Sequence, residues 1–224
     1  MRLILSNNHI LFELEGDNYL IDTGSPMSFS FFDKRSISLN QKTYEFSKIK
    51  GCSKSEVDQL ARMNVSGIIG MDIISKTSLT VDYENNKIEF NQTNIECDDN
   101  QYASFEFSLF MGGYITTQDL CCNGIKFRNC VIDSGAHISY IKENLLRSED
   151  ELNEQYSDYS PKIGEISGYF YSSIISSSNY DLSVKVGKMP FVLASLFDGI
   201  IGFNALSNKL ISIDFKNNRI IFKK

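Results

Sequence analysis

The chain has 224 residues, 42% of them hydrophobic and 22% charged, an ordinary balance for a folded protein. At this length it can bury roughly 70% of the surface that the unfolded chain exposes. A formal net charge of −6, with no long Lys or Arg run, argues against nucleic acid as a partner. No stretch approaches the roughly 20 apolar residues of a membrane span, and residues 1–8 lack the apolar centre of a secretory signal. The expectation is a cytoplasmic protein with no membrane partner, although a processed mature form would read the same.

Strand patterns dominate the first half. Residues 10–14 and 18–21 flank a turn at Gly16-Asp17. Tyr19-Leu20-Ile21 then leads into Asp22-Thr23-Gly24. Residues 42–46 carry Tyr44 in a short strand pattern. Ser55-Glu56-Val57-Asp58 reads as a helix start that continues to Met63. Ile68-Ile69-Gly70 follows, and the Asn85-Asn86 turn closes a later hairpin. Residues 91–101, with Glu96, Asp98 and Asp99, have no apolar periodicity and mark a linker. Domains at 1–95 and 96–224 follow from it. With Cys97 that cluster has the elements of a metal site, but a solvated linker is the simpler reading. Only two histidines, His9 and His137, are available for zinc, and neither metal nor cofactor is expected.

The second half repeats the order. Residues 119–122 and 125–127 flank Asn123-Gly124, a strong hairpin signal because both residues accept positive φ. Cys130-Val131-Ile132 leads into Asp133-Ser134-Gly135, and each aspartate is expected at the end of a hairpin's second strand. Residues 142–155 are acidic, with Leu145, Leu146 and Leu152 at near-helical spacing. A glycine-bracketed aromatic stretch, Tyr169-Phe170-Tyr171 at its centre, lies in 164–171. Five cysteines without a regular framework read as reduced thiols. Cys121, Cys122 and Cys130 fit the role of buried small hydrophobes.

A single Asp-Thr-Gly is weak evidence, since Asp and Gly are common turn residues. Here it occurs twice, each time after a strand. Residues 68–90 and 200–222 also align over 23 positions without a gap, and 9 are identical. The period is too long for a solenoid and suggests two related lobes. Two carboxylates brought together cannot both ionise cheaply, so such a pair shares a proton. The charged partner accepts a proton from water while the protonated one donates to a carbonyl oxygen. Gly24 and Gly135 remove Cβ where the two loops must approach.

These motifs, at 21–24, 68–70, 132–135 and 200–202, resemble those of the bilobed aspartic peptidases of the pepsin/retropepsin superfamily. The match covers nearly the whole chain in outline, at a size between a retropepsin subunit and a pepsin. The resemblance implies an all-β fold with few short helices, built as two pseudo-twofold-related, β-barrel-like lobes. It implies an aspartic endopeptidase in which Asp22 and Asp133 activate a water, Thr23 and Ser134 lock the loops together, and Ile69-Gly70 and Ile201-Gly202 pass behind them. An extended peptide or protein substrate, pepstatin-type inhibitors and a monomer are the implied partners and state. Tyr44 is a candidate flap tyrosine. Tyr169, Phe170 and Tyr171 form either a second flap or an ordinary edge strand. Ser25 follows the first motif but Ala136 follows the second, where pepsins often carry a supporting hydroxyl. Losing that donor disfavours the ion, so the dyad is expected to titrate higher than in a fully hydroxylated pepsin and the enzyme to work at mildly acidic to near-neutral pH. Two alternatives remain open: a catalytically silent peptide-binding or inhibitory module using the same cleft, and a purely structural duplicated β-protein.

Overall fold

The computed structural model describes residues 1–49, 52–91, 101–111, 113–160, 163–177, 180–207 and 210–223. Residues 92–100 of the expected linker, with its acidic cluster, Cys97 and the domain boundary, lie outside the described residues.

The molecule is mainly β, with few short helices. In the first half, Leu3–Ser6, His9–Leu14 and Asp17–Ile21 form an antiparallel ladder. The turn between the last two uses Glu15 (φ 55) and Gly16 (φ 84). It sits one residue earlier than expected because Asp17 is already paired with Leu14. Gly67–Ile69 then inserts parallel to Asp17–Ile21, and Phe29–Ser30 closes the edge.

The second half repeats this core inside a larger sheet. Cys130–Ile132 lies between Tyr114–Thr117 and the parallel strand Gly199–Ile201, and Ser139–Ile141 pairs with the latter. The Asn123-Gly124 turn forms as expected, with φ 48 and 80. Its second strand is only Ile125–Lys126, so Asp133 extends from a separate strand, Cys130–Ile132, and not from that hairpin.

A third sheet joins the halves. Ser78–Asp82 pairs with Leu210–Asp214, with Thr80 Oγ1 and Ser212 Oγ 3.0 Å apart in a buried contact. The outer positions are taken by Lys87–Asn91 on one side and by Arg219–Lys223 and Tyr102–Glu106 on the other. The expected barrel-like lobes are corrected: each sheet runs in an open order, and no closed barrel forms among the described residues. In the first half the two edge strands, Leu3–Ser6 and Phe29–Ser30, stay unpaired with each other. A buried cluster runs from Phe12, Tyr19 and Ile69 in the first half to Phe127, Ile132 and Val186 in the second. Burying each large side chain of this kind stabilises the fold by about 1.5–3 kcal/mol.

Helix Lys54–Ala61 starts at Ser53, whose hydroxyl accepts from Glu56 N–H while the Glu56 carboxylate accepts from Ser53 N–H. This capping box places the start slightly earlier than the expected Ser55. The expected helix over 142–155 does not form. Two short 3-10 turns, Glu143–Leu145 and Ser148–Asp150, give way to the strand Glu151–Ser160. Neither turn has a side-chain cap, and pairing with Gly164–Ser177 satisfies the backbone instead.

Tyr44 lies in Lys42–Glu45, paired with Ser36–Leu39. It is buried in the core cluster, and its hydroxyl has no hydrogen-bond partner, so it does not cover a cleft as a flap tyrosine would. Cys122 and Cys130 are buried thiols, whereas Cys121 is half-buried. No helix among the described residues is long and apolar enough to cross a membrane.

Candidate functional site

Two loops meet where the halves join. Asp22 N–H donates to Ile69 C=O at 3.0 Å, and Asp133 N–H donates to Ile201 C=O at 2.9 Å. Each aspartate is therefore fixed to the parallel strand of its own half. Ser25 and Ala136 N–H groups reach back to the Asp22 and Asp133 carbonyls, both at 3.2 Å, closing two equivalent turns.

Four buried hydrogen bonds cross between the loops. Thr23 N–H donates to Ser134 Oγ at 3.0 Å, and Ser134 N–H donates to Thr23 Oγ1 at 2.9 Å. The two hydroxyls then donate onward, Thr23 to Ile132 C=O at 2.9 Å and Ser134 to Ile21 C=O at 3.0 Å. Every donor has an acceptor, so the pair is satisfied without water.

This lock brings Asp22 and Asp133 face to face. A Cβ on Gly24 would collide with the Asp133 carboxyl, and one on Gly135 with that of Asp22. Gly24 N–H donates to Asp22 Oδ1, and Gly135 and Ala136 N–H groups donate to Asp133 Oδ1. Neither carboxyl receives a side-chain hydroxyl from its own loop. Ser25 Oγ donates to Met27 C=O at 2.9 Å instead, and Ala136 has no hydroxyl.

Both carboxyls are held above their usual range. Burial is the largest cause for each. The Asp133 charge adds to it at Asp22, while backbone N–H groups of Gly135 and Ala136 oppose it at Asp133. The pair therefore titrates as a unit that resists ionisation.

A stability experiment checks this. Raised folded-state values mean that the folded pair holds more protons than the unfolded one above about pH 4. The stability this contributes is full below that point and is lost as pH rises through the folded values. Asp22→Asn removes one ionisable partner, so its melting temperature should gain on the unsubstituted protein between pH 4 and pH 8. The relative gain should be about 1–3 kcal/mol, or roughly 2–4 °C for each. A difference that stays constant across this range rules out the raised titration.

Four further residues support the loops and were not singled out from sequence. Ser28 Oγ accepts from Gly70 N–H at 2.8 Å, and Asp72 Oδ1 accepts from Ser28 N–H and Oγ–H. In the second half Ser139 Oγ accepts from Gly202 N–H at 3.0 Å, and Asn204 Oδ1 accepts from Ser139 N–H and Oγ–H. Ser28 and Ser139 each stand six residues after their aspartate, and Asp72 and Asn204 each stand two after their glycine. That equal offset was the available signal.

Tyr169, Phe170 and Tyr171 lie in Gly164–Ser177, the second strand of a long hairpin. Phe170 packs on Tyr156, Tyr169 accepts from Gln155, and Tyr171 hydrogen-bonds Glu151. All three thus contact the partner strand of their own hairpin. Among the described residues, no three His, Cys, Asp or Glu side chains gather as metal ligands.

No family model matches this chain, and no curated protein does. Among solved structures it is similar to basic 7S globulin from soybean. The TM-score is 0.60 at 11% identity, over 100% of this chain and 94% of that one. It also matches conglutin gamma, described as a unique basic 7S globulin from lupine seeds. There the TM-score is 0.42 at 11% identity, over 75% of this chain and 60% of that one. The expected identity as an active aspartic peptidase, with its hydrolase activity, is corrected by this finding: a likeness spanning the whole chain is to a basic 7S globulin.

Proposed function

We propose that this chain is a two-lobed binding module of pepsin/retropepsin-like fold, with lobes at 1–95 and 96–224, that holds an extended peptide in its cleft without cleaving it. The observation that carries this reading is the carboxyl pair itself. Two facing acids, both raised by burial and neither supported by a hydroxyl of its own loop, keep a proton between them. Protonated carboxyls still donate and accept hydrogen bonds, which suits a peptide carbonyl and its neighbouring N–H. The duplicated loops supply a rigid floor, because Thr23 and Ser134 tie them together. An extended ligand brings backbone hydrogen bonds for affinity and side-chain pockets for selectivity. The whole-chain likeness to a globulin supports a role without turnover. Each lobe supplies one half of the site, so a monomer suffices.

The test is a mixed peptide library incubated with the protein from pH 3 to pH 8, read in two ways. Retention of peptides, or of pepstatin as a probe, on immobilised protein is the expected result, with loss of retention in Asp22→Ala, which leaves neither donor nor acceptor there. No new peptide termini should appear by mass spectrometry. New termini that vanish in Asp133→Asn would overturn the reading in favour of catalysis. Absence of any retained peptide would overturn it in favour of a purely structural role.

A further inference from the structure

The two repeats fill an equivalent place in their cores with side chains of different size. In the alignment of residues 68–90 with 200–222, Ile73 stands where the second half has Ala205. Each is the third residue of a short helix, Met71–Ile74 in the first half and Phe203–Leu206 in the second. Both are buried in the same core cluster, Ile73 at 1% exposure and Ala205 at 4%. Alanine leaves out everything beyond the Cβ of isoleucine, and such a deletion leaves a void wherever the surroundings cannot close in.

A cavity lies at Ala205. Phe105 and Phe222 line it from the sheet that joins the halves, with ring centres 5.5 Å apart. Ile175 and Leu182 line it from the second half's own sheet, where they are direct partners across two strands. These walls are held by ladders: Phe105 is paired with Ile220, and Ile175 also with Cys122. They cannot move together without breaking backbone hydrogen bonds, so the space persists.

The centre of a water molecule could range over about 30 Å³ inside it, more than the roughly 10–15 Å³ that one water requires. Size therefore does not keep water out, but the lining offers it little to bond. No charged side chain lines the cavity, and its polar members are Ser177 and Tyr180. Ser177 Oγ donates to Tyr180 C=O at 3.5 Å, within its own hairpin. An apolar space of this kind stays dry and takes up small hydrocarbons. Ser177, Tyr180 and Leu182 are half-buried, so the lining reaches the surface at that hairpin end.

The geometry points to this cavity as a second binding site, which takes a small uncharged hydrocarbon group, such as a benzene-sized ring, where the first half has the Ile73 side chain. A charged group would be stranded there without a partner. Neither Asp22 nor Asp133 lines the cavity, and the site does not depend on peptide binding at the carboxyl pair.

The experiment uses the full chain without peptide, with toluene as the probe and benzoate as its charged counterpart. Toluene at several times its dissociation constant should raise the melting temperature by about 2–4 °C, and benzoate should leave it unchanged. Amide and methyl shifts in two-dimensional NMR should concentrate at Leu120, Ile175, Leu182 and Ala205. Ala205→Ile, which restores the residue of the first half, should abolish both responses. Ala205→Val fills less of the space and should weaken them. No rise in melting temperature of the unsubstituted protein would overturn the proposal whatever the variants do. So would shifts centred on the loops of Asp22 and Asp133, or a toluene response unchanged in both variants.

Discussion

Gly202→Ala should destabilise the protein by about 3 kcal/mol or more, and Gly70→Ala by a similar amount. Both glycines adopt extended backbone, so the cost is one of contact and not of φ. A Cβ on Gly70 would stand 2.6 Å from Ser25 O, 2.7 Å from Met27 O and 2.8 Å from Met27 C. On Gly202 it would stand 2.7 Å from Ala136 O and 2.7 Å from Ile138 C, with Ile138 O closer still. All of these are backbone atoms of the segments that follow the aspartates. They cannot retreat freely, since Ser25 O and Ala136 O accept from Met71 N–H at 2.9 Å and Phe203 N–H at 2.8 Å. Relief of the clash would have to break those bonds or push each loop toward the other half. Urea unfolding checks this: the midpoint should fall at unchanged slope. Gly124→Ala provides the contrast. Its Cβ meets nothing within 4 Å, and its cost of about 1 kcal/mol comes from φ +80. If the three substitutions cost the same, close packing behind the loops is not what requires glycine there.

Thr23→Val and Ser134→Ala should each cost about 2–4 kcal/mol, and together less than their sum. Valine keeps the shape of threonine but strands the Ser134 N–H and the Ile132 carbonyl, both without water access. Alanine at 134 strands the Thr23 N–H and the Ile21 carbonyl. Each unsatisfied buried group costs about 1–3 kcal/mol. The two substitutions break different bonds, yet both bonds depend on the same approach of the loops. Once one substitution has loosened that approach, less is left for the second to lose. A double-mutant cycle measures this, with an expected coupling of about 1 kcal/mol. Strict additivity would mean two independent turn caps instead of one interlocked unit. The loosened loops should also let the carboxyls separate, so the pH dependence described for Asp22→Asn should flatten in Thr23→Val.

What could be read from sequence was local or repeated. Asp22-Thr23-Gly24 and Asp133-Ser134-Gly135 carry their turn chemistry in three residues, and the Ile-Ile-Gly strands follow at fixed places in an aligned block. The support by Ser28 and Ser139 was equally present in the spacing, but it becomes visible only when each half is read as a template for the other. The long hairpin of Glu151–Ser160 and Gly164–Ser177 was hidden for a different reason. Leu145, Leu146 and Leu152 have near-helical spacing, and only a strand far along the chain, Gly164–Ser177, turns residues 151–160 into a ladder. Tyr44 likewise has a flap-like setting in its own pentapeptide, and burial in the core is decided by residues elsewhere. The charge state of the carboxyl pair was equally out of reach. Whether a carboxyl pair ionises depends on burial and on where the Ser25 hydroxyl points, and neither is written in the motif.

The seam between Ser78–Asp82 and Leu210–Asp214 has a practical corollary. The two repeats are not cassettes that can be cut apart and expressed singly. A fragment ending near residue 91 would leave the rim of its last hairpin bare, with Leu79 and Val81 deprived of the residues that cover them. Open rims of this kind recruit whatever matching strand is at hand. The readiest substitute is another copy of the same fragment, so severing the duplication would be expected to yield self-associated material and not a free half.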